Sequence, residues 1–424
     1  MSAPVPTASL TRARVVSWRN ALFVVFALCG VGLGSWAARI PAVSDLLSLD
    51  PGGVGLLLFG IALGSIVGLL AAGHLVATFG TKAVMRVTLL IGPLALASGA
   101  FATAVLHSFP LAFAGLAVFG MTMSTCDVSM NVSGAANERA LGRTIMPIYH
   151  AFFSFGTMAG AGLGALAEGL DIPLQLHFLA LAIAMVIAAM VSVGFLLPES
   201  IVEDSAARDR AAAAGHGVAP EAPEPTTWRE RLGIWRDPRT IMIGLLVLGM
   251  AFAEGSANDW LSYAMVQGHG TDETTGAVVF GIFVTAMTIG RLAGVKVLDR
   301  FGRVPVLMVT SALAAVGLIL VIAVPVLWVS YLGVVLWGLG ASLGFPVGMS
   351  AAADDPRTAA ARVSAVATIG YCSFLIGPPA IGFLGDRFGI LNALLVVLVL
   401  VAVAGFASRS AREPEHAEAH AEVA

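Results

Sequence analysis

The stretch RLAGVKVLDRFGRVPVLMV, residues 291–309, joins two long apolar runs at 274–298 and 304–325. Its centre, Asp299-Arg300-Phe301-Gly302-Arg303, is a short basic turn carrying a glycine. Each flanking run is as long as the roughly 20 mostly apolar residues that cross a bilayer's hydrocarbon core. Lipid offers no partner to an unpaired backbone N–H or C=O, so both runs must be helices.

Working outward from this pair, the same reading gives twelve spans. Their limits are 19–41, 53–77, 83–106, 110–133, 145–168, 174–197, 240–264, 274–298, 304–325, 328–352, 362–385 and 389–408. The 424-residue chain is 58% hydrophobic and 12% charged, with a mean hydropathy of +0.90. Soluble domains carry about 25% charged residues, and a soluble fold this apolar would expose large sticky patches. The net charge of −3 is small and says nothing about nucleic acid, and no basic, aromatic-interleaved stripe suggests a nucleic-acid surface. Cys29, Cys126 and Cys372 lie inside apolar runs at spacings that suit neither a metal site nor a disulfide framework. No metal or cofactor is expected.

The loops fix an orientation. With the N-terminus inside, 20 of the 23 Lys and Arg fall on the cytoplasmic side; Arg39, Arg291 and Arg387 are the exceptions. The positive-inside rule then places both termini in the cytoplasm of a multi-pass inner-membrane protein. The expected organisation is a tail at 1–18, a six-helix bundle at 19–197, a cytoplasmic linker at 198–239, a second six-helix bundle at 240–408 and a tail at 409–424. The linker holds Glu199, Glu203, Asp204, an alanine-rich stretch, Pro220, Pro223 and Pro225, with a short helix expected near Trp228–Trp235. The halves match at an offset of 221 residues: Gly34-Ser35 with Gly255-Ser256, Gly55 with Gly276, Phe59-Gly60 with Phe280-Gly281, and Gly73 with Gly294. A parallel repeat of six helices about an axis along the membrane normal is the plan of one large class of transporters, with the solute site near the midplane between the halves.

Six plus six spans, the linker, the repeat and the Asp299-Arg300-Phe301-Gly302-Arg303 loop resemble the major facilitator superfamily over nearly the whole chain. The resemblance implies an all-α fold of twelve transmembrane helices in two pseudo-symmetric bundles. It also implies that Asp299, Arg300 and Arg303 form charge contacts that latch the inward-closed state. The equivalent loop after the second span, Ala77-Thr78-Phe79-Gly80-Thr81-Lys82, lacks the Asp-Arg pair. Gly34 to Pro41, Asp127 to Asn131, His150 to Gly156 and Glu254 to Trp260 resemble a YbjJ-like branch. Asp127 with Asn131 is also similar to the acidic-x-x-x-Asn pattern of fucose–proton symporters, where glutamate stands in place of aspartate. That resemblance implies proton coupling and a sugar-like solute.

Ionisable groups inside spans cost about 2.5–3.5 kcal/mol each on insertion scales, so they mark function or pair with a partner. Asp127, Glu254 and His150 are the candidate proton carriers. Asn131 and Asn258 stand four residues after the two acids and share their helix faces. They are candidate solute ligands, with Trp337, Tyr371 and Trp36 as stacking surfaces. Packing or an interfacial belt is the plainer role for the aromatics. Arg39 and Asp259 are candidate gate charges, and Arg291 is expected to support the Asp299 loop. The ladders Gly60-Gly64-Gly68 and Gly156-Gly160-Gly164 let helices approach closely, and Gly377-Pro378-Pro379 is a candidate hinge.

No Walker-type phosphate loop is present, and no nucleophile–base or metal constellation suggests an enzyme. The expectation is a proton-coupled symporter of a small, sugar-like organic solute, acting as a monomer in the lipid bilayer. A proton antiporter exporting drugs or metabolites is the alternative, and a non-transporting sensor is a third reading.

Overall fold

The computed structural model describes residues 11–142, 145–198, 233–354 and 358–412. The expected linker from Glu199 to its short helix around Trp228, and the chain ends before residue 11 and after residue 412, lie outside the described residues. So do Arg143, Arg208, Arg210, Arg229, Arg231 and Arg357, which had contributed to the orientation.

The first half comprises α1 (Arg12–Ala38), the short α2 (Ile40–Leu47), α3 (Pro51–Phe79), α4 (Thr81–Ala104), α5 (Phe109–Leu141), α6 (Met146–Gly169) and α7 (Leu174–Gly194). The second comprises α8 (Pro238–Ser256), α9 (Glu273–Phe301), α10 (Arg303–Ala323), α11 (Leu327–Ala341), α12 (Gly344–Ala352), α13 (Ala359–Phe388), α14 (Ile390–Ala393) and α15 (Leu395–Ala407). Eleven helical stretches among the described residues are long and apolar enough to cross a membrane. The 24 residues of α6 supply the twelfth span, about 36 Å at 1.5 Å per residue. With α11–α12 as one broken span and α14–α15 as another, six spans fall in each half.

The repeat is visible in how α3 and α9 begin and end. Both are 29 residues long. Asp50 caps one through the Gly53 N–H at 2.7 Å, and Asp272 caps the other through the Thr275 N–H at 2.8 Å. Both stop at a glycine with positive φ, 75° at Gly80 and 74° at Gly302, a conformation that a side chain disfavours. These landmarks are 222 residues apart, not 221. A one-residue slip turns a helix face by about 100°, so the glycines matched at 221 do different work. Gly60 packs on Phe113 of α5, whereas Gly281 faces Ala161 of α6 in the other half.

The glycine ladders build the first half internally. Gly60, Gly64 and Gly68 lie against Phe113, Ala117 and Met121 of α5; Gly156, Gly160 and Gly164 lie against Ala27, Val31 and Ala38 of α1. Buried polar groups lock the same helices together. Trp18 donates its indole N–H to Ser133 at 3.0 Å, Tyr149 donates to Asn137 at 2.7 Å, and Asn137 donates to the Val15 carbonyl at 3.0 Å.

The halves meet along two seams, α3 with α13 and α6 with α9. On the first seam, Gly55 sits against the Pro378 carbonyl and Gly382, and the Gly52 N–H donates to Asp386 at 2.9 Å. The Gly377-Pro378-Pro379 segment runs inside an unbroken 30-residue helix, and its carbonyl edge is where the other half docks. These contacts lie at the start of α3 and the end of α13, away from the face that carries the basic loops. Towards that basic face the halves part.

Candidate functional site

The space between the halves is a cavity of about 1820 Å³ that opens at the basic face. Asp299, Phe301, Arg303, Ser350 and Arg412 rim it. That volume exceeds the roughly 300–1,000 Å³ of a small-molecule pocket, so most of it is vestibule. The polar groups gather deeper, around Arg291.

Arg291 projects from α9 and uses all three of its guanidinium nitrogens. Its Nη2 donates to both carboxylate oxygens of Glu254 on α8, each at 2.8 Å. Its Nε donates to the Ser342 carbonyl at 3.3 Å. That carbonyl is free for a local reason: a helix would pair it with the N–H of residue 346, and Pro346 has none. Its Nη1 reaches Ser154 on α6, in the other half, at 3.4 Å. His150 stands one turn before Ser154 and lines the same cavity, its ring edge-on to Phe26 at 5.4 Å. Tyr371 and Phe374 of α13, Phe345 of α12 and Phe153 and Phe155 of α6 complete an aromatic lining.

The sequence candidates are therefore dispersed. Glu254, His150, Arg291 and Tyr371 share the cavity, and Arg291 serves Glu254 in place of the Asp299 loop. Asp127 stands on α5, outside the lining of that cavity, and Asn131 Nδ2 donates to its carboxylate at 3.2 Å. Asn258 and Asp259 lie on a π-helical turn, Ala257–Leu261, that extends α8. Wider turns of this kind recur at functional sites. Asp259 has neither a hydrogen-bond nor an ion-pair partner among the described residues, so Arg39 is not its mate. Arg39 pairs instead with Glu168 of α6 at 2.8 Å and donates to the Ile172 carbonyl.

The tryptophans lie elsewhere. Trp337 is wholly buried in the second half, edge-on to Phe283 at 5.5 Å. Trp36 is 2% exposed and leans on Phe178. Both are core residues: their large apolar faces are worth more in helix packing than in a belt or on a wet cavity wall.

At the basic face, Arg303 binds Asp354 at 2.8 Å, and Asp354 also holds Arg239 at 3.0 Å. Arg300 lies over the Phe301 ring. Asp299 is exposed at the mouth with no partner among the described residues. The sequence reading missed Ser154, whose value depends on a helix in the other half, and the carboxyl of Glu168 at the far face.

Comparison with known proteins fits this architecture. The family model described as Major Facilitator Superfamily matches residues 21–265 and 255–423. An uncharacterized MFS-type transporter of Yersinia pestis is 30% identical over 395 residues, covering 92% of this chain and 94% of the relative. Among solved structures, a mutant of the nucleoside transporter NupG superposes with a TM-score of 0.71 at 14% identity, covering 94% of this chain and 99% of that one. FucP in its outward conformation superposes with a TM-score of 0.57 at 17% identity, covering 95% and 100%.

Proposed function

We propose, from the premise that this chain belongs to the major facilitator superfamily, that it carries a small neutral ring-shaped solute, sugar-like, together with a proton. Secondary transport across a membrane is the activity of the class. The solute, the coupling ion and the orientation are the parts that we add.

One observation carries the reading. Arg291 and Glu254 form a net-neutral pair that offers unfilled donor and acceptor capacity at the deep end of the cavity, and Arg291 touches Ser154 of the opposite half. A charged solute would meet a like, repelling charge on one member of the pair. A neutral solute with several hydroxyls meets donors and acceptors together, and its ring finds Tyr371 and Phe374 to stack on. A ligand that binds both Ser154 and Arg291 also binds both halves, which is how a solute draws them together in alternating access.

Asp127 is the proposed proton carrier. A carboxylate in the interior of a membrane protein carries a large cost when charged and unpaired. Its one bonded side chain, Asn131, brings no charge to offset that cost. With the basic loops in the cytoplasm, the conformation here is inward-open, the state from which solute and proton leave together. Drug or metabolite export is the second reading, favoured by the six aromatic side chains of the lining.

The test is transport in liposomes loaded with a pH-sensitive dye, using sugars, nucleosides, sugar acids, amino acids and drugs. A neutral sugar or nucleoside should acidify the lumen, and Asp127→Asn should abolish proton movement while leaving solute exchange. Solute flux without proton movement, unchanged in Asp127→Asn and Glu254→Gln, sinks the proposal.

A further inference from the structure

The tetrapeptide Asp-Arg-Phe-Gly occurs twice, at 299–302 and at 386–389. Each copy ends a long helix, α9 or α13, on a glycine with positive φ, 74° at Gly302 and 81° at Gly389. Each glycine returns its N–H to the carbonyl four residues back, to Leu298 at 2.9 Å and to Gly385 at 2.8 Å. The two turns differ in their place. The first lies at the open mouth of the cavity; the second lies three spans further on, at the opposite face, where the halves are closed.

An acid in the last turn of a helix opposes that helix's own dipole. Asp386 is such an acid on α13, and its partner belongs to the other half: Oδ1 accepts the Gly52 N–H at 2.9 Å. Gly52 is the second residue of α3, and the N–H groups of a first turn have no partner inside their helix. Pro51 carries no N–H. Asp50 takes those of Gly53 and Val54, with its side chain at 2.7 Å and its carbonyl at 3.0 Å. Gly52 is therefore the donor that its own half leaves unserved. The approach demands glycine there, because a Cβ would run into Asp386 Oδ2. Gly382 and Gly385 lie against Pro51 in the same way, so the two helices meet backbone to backbone around the bond.

The twin turn supplies the contrast. Asp299, at the matching position, is exposed with no partner among the described residues. The acid is bonded where the halves touch and unbonded where they part.

We propose that Asp386 is the latch of the closed face: its carboxylate caps α3 of the other half while that face is shut, and parting of the halves releases both groups to water. A cap made in one conformation and absent from the other biases the equilibrium by its own net worth. For a helix cap that is about 2- to 30-fold. The latch goes beyond the transport reading. It rests on the contact between halves alone and is indifferent to the solute and to which residue carries the coupled proton.

The experiment reads the separation of the halves. In the full chain with Cys372→Ser, nitroxide labels at Leu170→Cys on the first half and Trp328→Cys on the second report it in lipid nanodiscs without solute. Both positions are exposed, and the native Cys29 and Cys126 are buried and escape labelling. Asp386→Ala should raise the ratio of long- to short-distance populations by about 2- to 30-fold, with the unfolding temperature unchanged. Asp386→Asn keeps an acceptor but no charge and should raise it less. Gly52→Ala obstructs the same bond from the other half and should raise it too, which keeps the test open should Asp386→Ala fold poorly. Combining Asp386→Ala with Gly52→Ala should add little to the larger single effect, because one bond is lost only once. A wild-type distance distribution in Asp386→Ala or in Gly52→Ala overturns the proposal, as do two single effects that add in full. Because no solute is present, failure of the liposome assay leaves this result standing, and the reverse also holds.

Discussion

Arg291 and Glu254 meet through one nitrogen: Nη2 lies 2.8 Å from each carboxylate oxygen, which leaves Nη1 turned towards Ser154 in the other half. The pair is 29% and 20% exposed, so it is neither fully desolvated nor freely hydrated. Removing one partner strands a charge, whereas removing both does not. Glu254→Gln and Arg291→Gln should each lower thermal stability more than the double variant does. A double-mutant cycle should give a coupling of about 1–3 kcal/mol. Thermal unfolding in detergent measures it, and additive losses would remove the pair from the site. All three variants should lose solute binding, because the pair is the proposed solute ligand.

Asp299 and Asp354 flank the same mouth and differ in what holds them. Asp354 is 8% exposed and binds two arginines, Arg303 and Arg239. Neutralising it removes a charge partner from both, which keep other hydrogen bonds and partial exposure, at a cost of about 1–2 kcal/mol. Asp299 has no partner here among the described residues, so Asp299→Asn should leave stability within about 0.5 kcal/mol. If Asp299 latches the opposite conformation, the same variant should lower the fraction of molecules closed at the basic face. Maleimide labelling of a cysteine placed at Ile148, which lines the cavity, reads that fraction. Unchanged labelling counts against the latch.

The apolar runs made the spans legible, because lipid leaves the chain little choice of conformation there. The turn at Gly302 was legible for a similar reason: a positive φ selects glycine. The site was legible only as an inventory of charges. Glu254 and Arg291 are 37 residues apart and on different helices. Their pairing depends on how each helix is rotated, and near-uniform apolarity erases the amphipathic stripe that reports rotation in soluble helices. The same ambiguity hid Trp337 in the core and assigned Arg291 to the wrong neighbour. Pro346 carried a usable signal, a carbonyl freed four residues earlier that was open to a donor. Glu168 resembled a helix-end acid, and only the fold shows it paired with Arg39.

Glycines that resemble one another in sequence should fail differently. Gly160 faces the α1 backbone at Val31 and Ser35, inside one half, in whatever state the halves adopt. Gly160→Leu should therefore destabilise the first bundle, by about 3 kcal/mol or more for backbone overpacking. Gly382 faces Pro51 and Gly55 across the seam. Gly382→Ala should leave unfolding nearly unchanged and shift the population away from the conformation seen here. Nitroxide labels at Leu170→Cys and Trp328→Cys in a Cys372→Ser background, both sites exposed, separate the two effects; a Gly382→Ala protein that melts early without a distance change defeats the distinction.

Acid should act at Asp237 in a defined window. This residue caps α8 ahead of the span. Its Oδ1 accepts the Arg239 N–H at 3.2 Å, and its Oδ2 accepts from Thr240 at 2.8 Å and Arg362 at 3.1 Å. Burial pushes the carboxyl upward, but the Thr240 and Arg239 hydrogen bonds and the Arg362 charge outweigh it, leaving the group below its ordinary value of 3.8. A depressed carboxyl stabilises the fold above its unfolded value and loses that contribution as pH falls through the folded one. Asp237→Asn should cost about 1–2 kcal/mol at neutral pH, as loss of a charged cap does. The gap between wild type and variant should be flat from about pH 5 to 7 and close only below about pH 4, where free aspartate protonates. Chemical unfolding at half-unit pH steps measures the gap. A gap that stays constant down to pH 3 would assign the stabilisation to shape alone, whereas closure above pH 5 would assign it to another group.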